Sequence, residues 1–190
     1  MGGAGCNALN LMIDQGVYSA EFIALDSDKQ ALDHCKARTR FPIGAPDCAG
    51  DGEADRAYIK NLLEGANLVF IVAGMGGKTG TDAAAMVAEI SRELNILTVA
   101  IVSRPYISEG NRVTYAVKGI RALREHVDTL IVVPIPDLLN LSGETMAQAF
   151  TTANGLFRDV VANIAEAVNF PRIDCCGFCR CVYRTGRTRW

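Results

Sequence analysis

The chain has 190 residues and a mass of 20.4 kDa, with 49% hydrophobic and 21% charged residues. This is the composition of one globular domain with a sizeable buried core, and it excludes intrinsic disorder as the default. The formal net charge is −2, but Arg172 to Trp190 hold five Arg and one Asp, so this tail carries +4 and the other 171 residues −6. An acidic body excludes nucleic acid as the main partner, because phosphate-backbone binding rests on clustered Lys and Arg.

The first glycine-rich stretch, "MGGAGCN" (Met1 to Asn7), leads into a helical pattern over Cys6 to Ile13. It has no basic n-region and meets Asp14 before a signal-peptide core could form, so nothing directs the chain out of the cytoplasm. "SAEFIAL" (Ser19 to Leu25) predicts the first strand, and Asp28 to Lys36 and Asp55 to Glu64 predict helices. "NLVFIVA" (Asn67 to Ala73), "LTVAIVS" (Leu97 to Ser103) and "TLIVVP" (Thr129 to Pro134) are apolar on both faces, as strands of a covered parallel sheet are. The longest such runs fall far short of the roughly 18 to 20 residues that span a bilayer. Helical patterns over Asp82 to Leu94 and Arg112 to His126 lie between these strands. A long apolar periodicity over Glu144 to Val168, without internal proline, predicts a final helix leading out of the domain. The alternation defines an α/β fold: a doubly wound, Rossmann-like, mainly parallel sheet with flanking helices.

The second glycine-rich stretch, "AGMGGKTGTDAA" (Ala73 to Ala84), follows a strong strand and opens another helix. Glycine lets the backbone approach a phosphate closely, and the helix start behind it offers free N–H donors and a positive dipole end. One such loop is as readily an ordinary tight turn; two in one sheet favour a polyphosphate held between them. "GGKT" also resembles the end of a Walker loop, but the full pattern requires glycine at Val72, inside the strand. A P-loop-like enzyme using Lys78 is therefore the second reading.

The motifs "GGAGCNALNLMI", "ALDSDKQAL", "LEGANLVFIVAGMGGKTGTDAA" and "VAEISRELNILTVAIVSRPYISEGNR" resemble the FtsZ family of tubulin-like, cell-division GTPases. The resemblance runs from Gly2 to about Asn169. It implies a cytoplasmic GTPase that binds GTP and GDP, with Mg2+ accompanying GTP. It further implies head-to-tail filaments, a place at the division site among other division-ring proteins, and membrane contact only through partner proteins. Carried over residue by residue, the nucleotide contacts fall on Gly3, Ala4, Gly5, Cys6 and Asn7, and on Gly76, Gly77, Lys78, Thr79, Gly80 and Thr81. Glu109 and Arg112 match the ribose- and phosphate-side pair, and Phe150 and Asn154 the guanine side. Asp28 of "DSD" matches a family aspartate near the nucleotide and subunit contact. Each has a plainer reading as well: Glu109 and Arg112 as a solvated helix start, Phe150 as core, Asp28 as a helix cap.

Lys78 and Asp82 stand where the family has glycine. The alternatives for Lys78 are a cation beside the phosphates or a strained residue at positive φ; Asp82 is expected to cap the helix that follows. "PIPD" (Pro134 to Asp137) departs from the family's Pro-Asn-Asp, and the segment from Phe41 to Asn61 is shorter than the family's corresponding glycine-rich loop.

Both ends also depart. Met1 occupies the position of the valine that ends the family's first strand, so residues 1–169 are expected to form the GTP-binding domain without that strand, followed by no second domain. Residues 170–190 are expected to be an out-of-family tail. Cys175, Cys176, Cys179 and Cys181 are too crowded for the usual pairing of zinc ligands, and no metal site is expected there. Read one base later, the tail codons permit Pro-Gly-Leu-Ile-x-x-Asp-Phe-Ala-Asp-Val, the family's acidic catalytic loop, which predicts a frameshift near Phe170. On that expectation the chain holds no catalytic acid of its own and hydrolyses GTP poorly alone. A noncatalytic fragment that caps filaments is the remaining alternative.

Overall fold

The computed structural model describes residues 1–17, 20–44, 52–106, 109–135 and 145–169. The cysteine-rich tail, Cys48 and Asp137 lie outside them. Helix α1 (Gly2–Asp14) leads to strand β1 (Ile23–Asp26), the short helix α2 (Lys29–Asp33) and strand β2 (Thr39–Pro42). Then α3 (Glu53–Leu63), β3 (Leu68–Gly74), α4 (Lys78–Glu93), β4 (Leu97–Arg104), α5 (Asn111–His126), β5 (Thr129–Pro134) and α6 (Met146–Asn169) follow.

Strand β4 shows why the sheet is covered on both faces. Val99 and Ile101 pack with Met12 of α1 and Phe157 and Val161 of α6. Ala100 and Val102, pointing the other way, pack with Val87 of α4 and with Ala116 and Leu123 of α5. Alternate side chains therefore feed two separate apolar layers, which is the doubly wound arrangement the sequence predicts. β3, β4 and β5 are parallel, with Val72 opposite Ile101 and Ile101 opposite Ile131.

Four local features differ from expectation. Strand β2 pairs in parallel with β1, Leu25 opposite Phe41, although "TRFP" has neither an apolar run nor a clean alternation. Among the described residues, β1–β2 and β3–β4–β5 form two sheets with no ladder joining them. Helix α4 begins at Lys78, four residues ahead of its apolar pattern, with Gly77 as N-cap and no side-chain cap. Asp82 therefore lies inside the first turns and caps nothing; its carboxylate accepts a hydrogen bond from the Tyr115 hydroxyl at 2.5 Å.

Asp28 does cap α2, accepting from the Gln30 N–H at 2.9 Å. Cys6 and Cys35 are buried free thiols. Among the described residues no helix is long and apolar enough to cross a membrane, and no cluster of side chains could hold a metal ion.

Candidate functional site: two uncapped helix starts facing one cavity

The C-terminal ends of β1, β3 and β4 meet the N-terminal ends of α1 and α4 around a cavity of about 310 Å³. This is where an open α/β sheet places its ligand. Gly2 and Gly80 touch across it: a β-carbon on Gly2 would lie 3.4 Å from Gly80 Cα. Gly2 and Gly80 are 78 residues apart in the chain, and the two glycine-rich stretches thus present their helix starts side by side. Neither helix has a side-chain cap, and the first N–H groups of an α-helix have no intrahelical acceptor. Their donors and the positive dipole ends favour an anion between them.

The turn before α4 is fixed from within. Gly76 adopts φ +101°, a conformation that glycine alone adopts cheaply, and its N–H donates to the buried Thr81 Oγ1 at 3.0 Å. Lys78 has no positive φ, so the strained alternative does not apply; its side chain is exposed and lines the cavity. Thr79 also lines the cavity, and its hydroxyl shares a hydrogen bond with the Ser27 hydroxyl.

On the far wall, Arg112 Nη1 donates to Glu109 Oε2 at 2.7 Å, while Glu109 Oε1 accepts from the Tyr106 N–H at 2.9 Å. The glutamate thus ties the arginine to the turn at the cavity wall. Phe150, on α6, is 46% exposed, so it is not the core residue its apolar character suggests; it forms part of the cavity wall.

Of the expected contacts, Gly3, Ala4, Gly77, Lys78, Thr79, Gly80, Glu109, Arg112 and Phe150 line the cavity. Gly5, Cys6, Asn7, Gly76, Thr81 and Asn154 do not. Gly5 packs on the Val72 carbonyl, Cys6 is buried beside Cys35, and Thr81 is buried behind the turn. Asn7 is exposed away from the cavity, and Asn154 lies one turn beyond Phe150, half-buried. Burial pushes the Cys6 thiol up to about 11 from an ordinary 9.0, so it stays protonated at neutral pH.

Asp26 is the residue that the sequence did not single out. It is buried, lines the cavity at the end of β1, and accepts the Asp28 N–H at 3.2 Å. Its position at the carboxyl end of a strand is the signal that could have found it. Ser103, at the end of β4, is placed by the same rule.

A doubly wound sheet with two uncapped, glycine-rich helix starts converging at its carboxyl edge defines a nucleotide-binding domain. The family model for the GTPase domain of the tubulin/FtsZ family matches residues 1–143. The chain is 43% identical over 185 residues to the cell division protein FtsZ of Neisseria gonorrhoeae, covering 90% of this chain and 47% of the relative. The same figures hold for FtsZ of Neisseria meningitidis. An FtsZ dimer from M. jannaschii superposes with a TM-score of 0.78 at 33% identity, over 87% of this chain and 52% of that one. CetZ2 from Haloferax volcanii, a GTPγS-bound protofilament, has a TM-score of 0.72 at 19% identity and shows likeness of fold. The chain belongs to the tubulin/FtsZ family, and the matched residues are its GTPase domain. It spans about half the length of the curated relatives it matches.

Proposed function

We propose that the cavity between α1 and α4 binds GTP and GDP, and that the chain takes part in the filament of a cell-division GTPase. The observation that carries this reading is the meeting of Gly2 and Gly80, which sets two uncapped helix starts against one ligand-sized space. The phosphates fit between these N–H groups, with Lys78 and Arg112 supplying cations at the rim. The ribose fits beside Glu109, and guanine against Phe150 with Asn154 one turn further on. Mg2+ enters as the counterion of the triphosphate, with the Asp26 carboxylate and the Thr79 hydroxyl as oxygen donors.

Bound GTP supplies the phosphoanhydride; this chain's residues bind and orient it. The acids for hydrolysis are expected from a neighbouring subunit, as the family resemblance implies, so the isolated chain turns GTP over slowly. The wider setting is a cytoplasmic, septal filament built with other division-ring proteins and touching the membrane only through them. We also propose that residues 1–169 form the GTP-binding unit and that 170–190 stand outside it.

A titration with GTP, GDP and ATP tests the reading. Saturable GTP binding at least tenfold tighter than ATP supports it; equal affinity overturns the assignment of the guanine side to Phe150 and Asn154. Co-sedimentation with intact FtsZ filaments distinguishes a filament component from a free nucleotide-binding domain.

A further inference from the structure

The turn that carries Gly76 is held from outside the cavity by α5. A β-carbon on Gly76 would stand 3.0 Å from the Arg112 carbonyl oxygen, so the turn packs on the first residues of that helix. One turn later, the Tyr115 hydroxyl donates to the Asp82 carboxylate at 2.5 Å. A further turn along, a β-carbon on the buried Gly119 would stand 2.1 Å from Thr81 Cγ2. Arg112, Tyr115 and Gly119 follow one another at the spacing of a single helix face, and all three reach the segment from Gly76 to Asp82.

Thr81 turns this packing into a constraint. It is buried, and its Oγ1 accepts the Gly76 N–H at 3.0 Å. Its methyl and hydroxyl share one β-carbon, so a rotation that moves Cγ2 off α5 also carries Oγ1 away from the Gly76 N–H. That leaves a buried donor unpaired in the turn that presents the start of α4, where the next residue, Gly77, is the N-cap and lines the nucleotide cavity. Gly119 does not itself line the cavity.

We propose that Gly119 is a positioning residue for the nucleotide site: having no side chain, it gives the Thr81 methyl its place and thereby lets the Thr81 hydroxyl lock the turn. The inference rests on the reading of the cavity as a nucleotide site, but it acts through a hydrogen bond that is present without nucleotide.

The test uses the full chain. Alanine is a better helix former than glycine, so a loss in Gly119→Ala comes from the contact with Thr81 and not from the helix. Gly119→Ala is expected to speed hydrogen exchange of the Gly76 amide, followed by NMR without nucleotide, by about tenfold or more. It is expected to weaken GTP binding, read by isothermal titration, by about tenfold or more. Thr81→Ser removes Cγ2 and keeps the hydroxyl, so in that background the same Gly119→Ala change should alter each readout by less than about threefold. Unchanged Gly76 exchange in Gly119→Ala overturns the proposal, as does faster exchange with GTP affinity kept. Failure of Thr81→Ser to restore both readouts overturns it too, and so does a double variant that does not fold, because the damage then lies elsewhere than at the Thr81 methyl. A parent chain that binds no GTP overturns the reading of the cavity instead, and Gly76 exchange still decides the link from Gly119 to the turn.

Discussion

Gly80, in the first turn of α4, packs so tightly on the end of β3 that a β-carbon there would stand 2.3 Å from the Gly74 carbonyl oxygen. The obstacle is strand backbone, so it cannot swing aside as a side-chain tip would. Gly80→Ala is expected to destabilise the chain by about 1 to 3 kcal/mol and to displace the helix start from the cavity. Thermal unfolding measures the first effect, and a GTP titration showing a loss of at least tenfold the second.

Phe150 separates the nucleotide site from the fold. Its side chain is substantially exposed, so Phe150→Ala should change stability by no more than about 0.5 kcal/mol. Stacking of an aromatic ring on a base contributes roughly 1 to 3 kcal/mol, so GTP affinity should fall by about 5- to 150-fold. An unchanged affinity would remove Phe150 from the site.

Lys78 lines the cavity where the family resemblance expects glycine, and the family match does not favour the P-loop-like reading of it. As an exposed cation at a helix start it adds a screened attraction to phosphate, so Lys78→Ala should weaken GTP binding only a few-fold, less so at high salt. A loss of more than about 100-fold, insensitive to salt, would point to the Walker-type role in which the lysine grips the terminal phosphates. Isothermal titration at low and high salt reads both outcomes.

Arg112 and Glu109 bear on the same rim differently. Their ion pair is largely exposed on the arginine side and contributes about 0 to 1 kcal/mol to stability. Arg112→Ala should leave Tm nearly unchanged while weakening GTP binding. Glu109→Ala should also loosen the turn, because it removes the acceptor for the Tyr106 N–H.

Two buried groups set a pH dependence. Burial lowers the Met1 ammonium below its ordinary 8.0, so below pH 8 the unfolded chain binds more protons than the folded one, and stability rises as pH increases toward 8. Cys6 is shifted the opposite way, from 9.0 to about 11, so the folded chain keeps a proton that the unfolded chain loses, and stability falls as pH rises from about 9 to 11. Thermal melts should show a maximum between about pH 8 and 9. N-terminal acetylation should abolish the rise on its acid side, and Cys6→Ser should diminish the alkaline fall.

Strands β3, β4 and β5 were legible because each is a continuous apolar run, the mark of burial on two faces. Strand β2 was not: Arg40 and Pro42 mask it, and it exists because β1 offers an edge beside it. The start of α4 was misplaced because glycine and threonine are poor helix formers; the Thr81–Gly76 hydrogen bond and the close fit to β3 override that preference. The glycine-rich loops were legible as helix starts, but which of their residues reach the cavity depended on distance from the helix end. Gly3 and Ala4 in the first turn of α1 line it, while Cys6 and Asn7, one turn deeper along the helix, do not.

The sequence by itself determined the α/β class, the order of its main elements, the two glycine-rich helix starts and the family, because these rest on local periodicity and on motifs contiguous in the chain. Tertiary structure alone decided that Gly2 meets Gly80, that the buried Asp26 lines the cavity, and that Phe150 stands exposed at its wall. Each of these is a contact between distant segments, set by how helices and strands pack, and no local pattern of residues encodes such a distance.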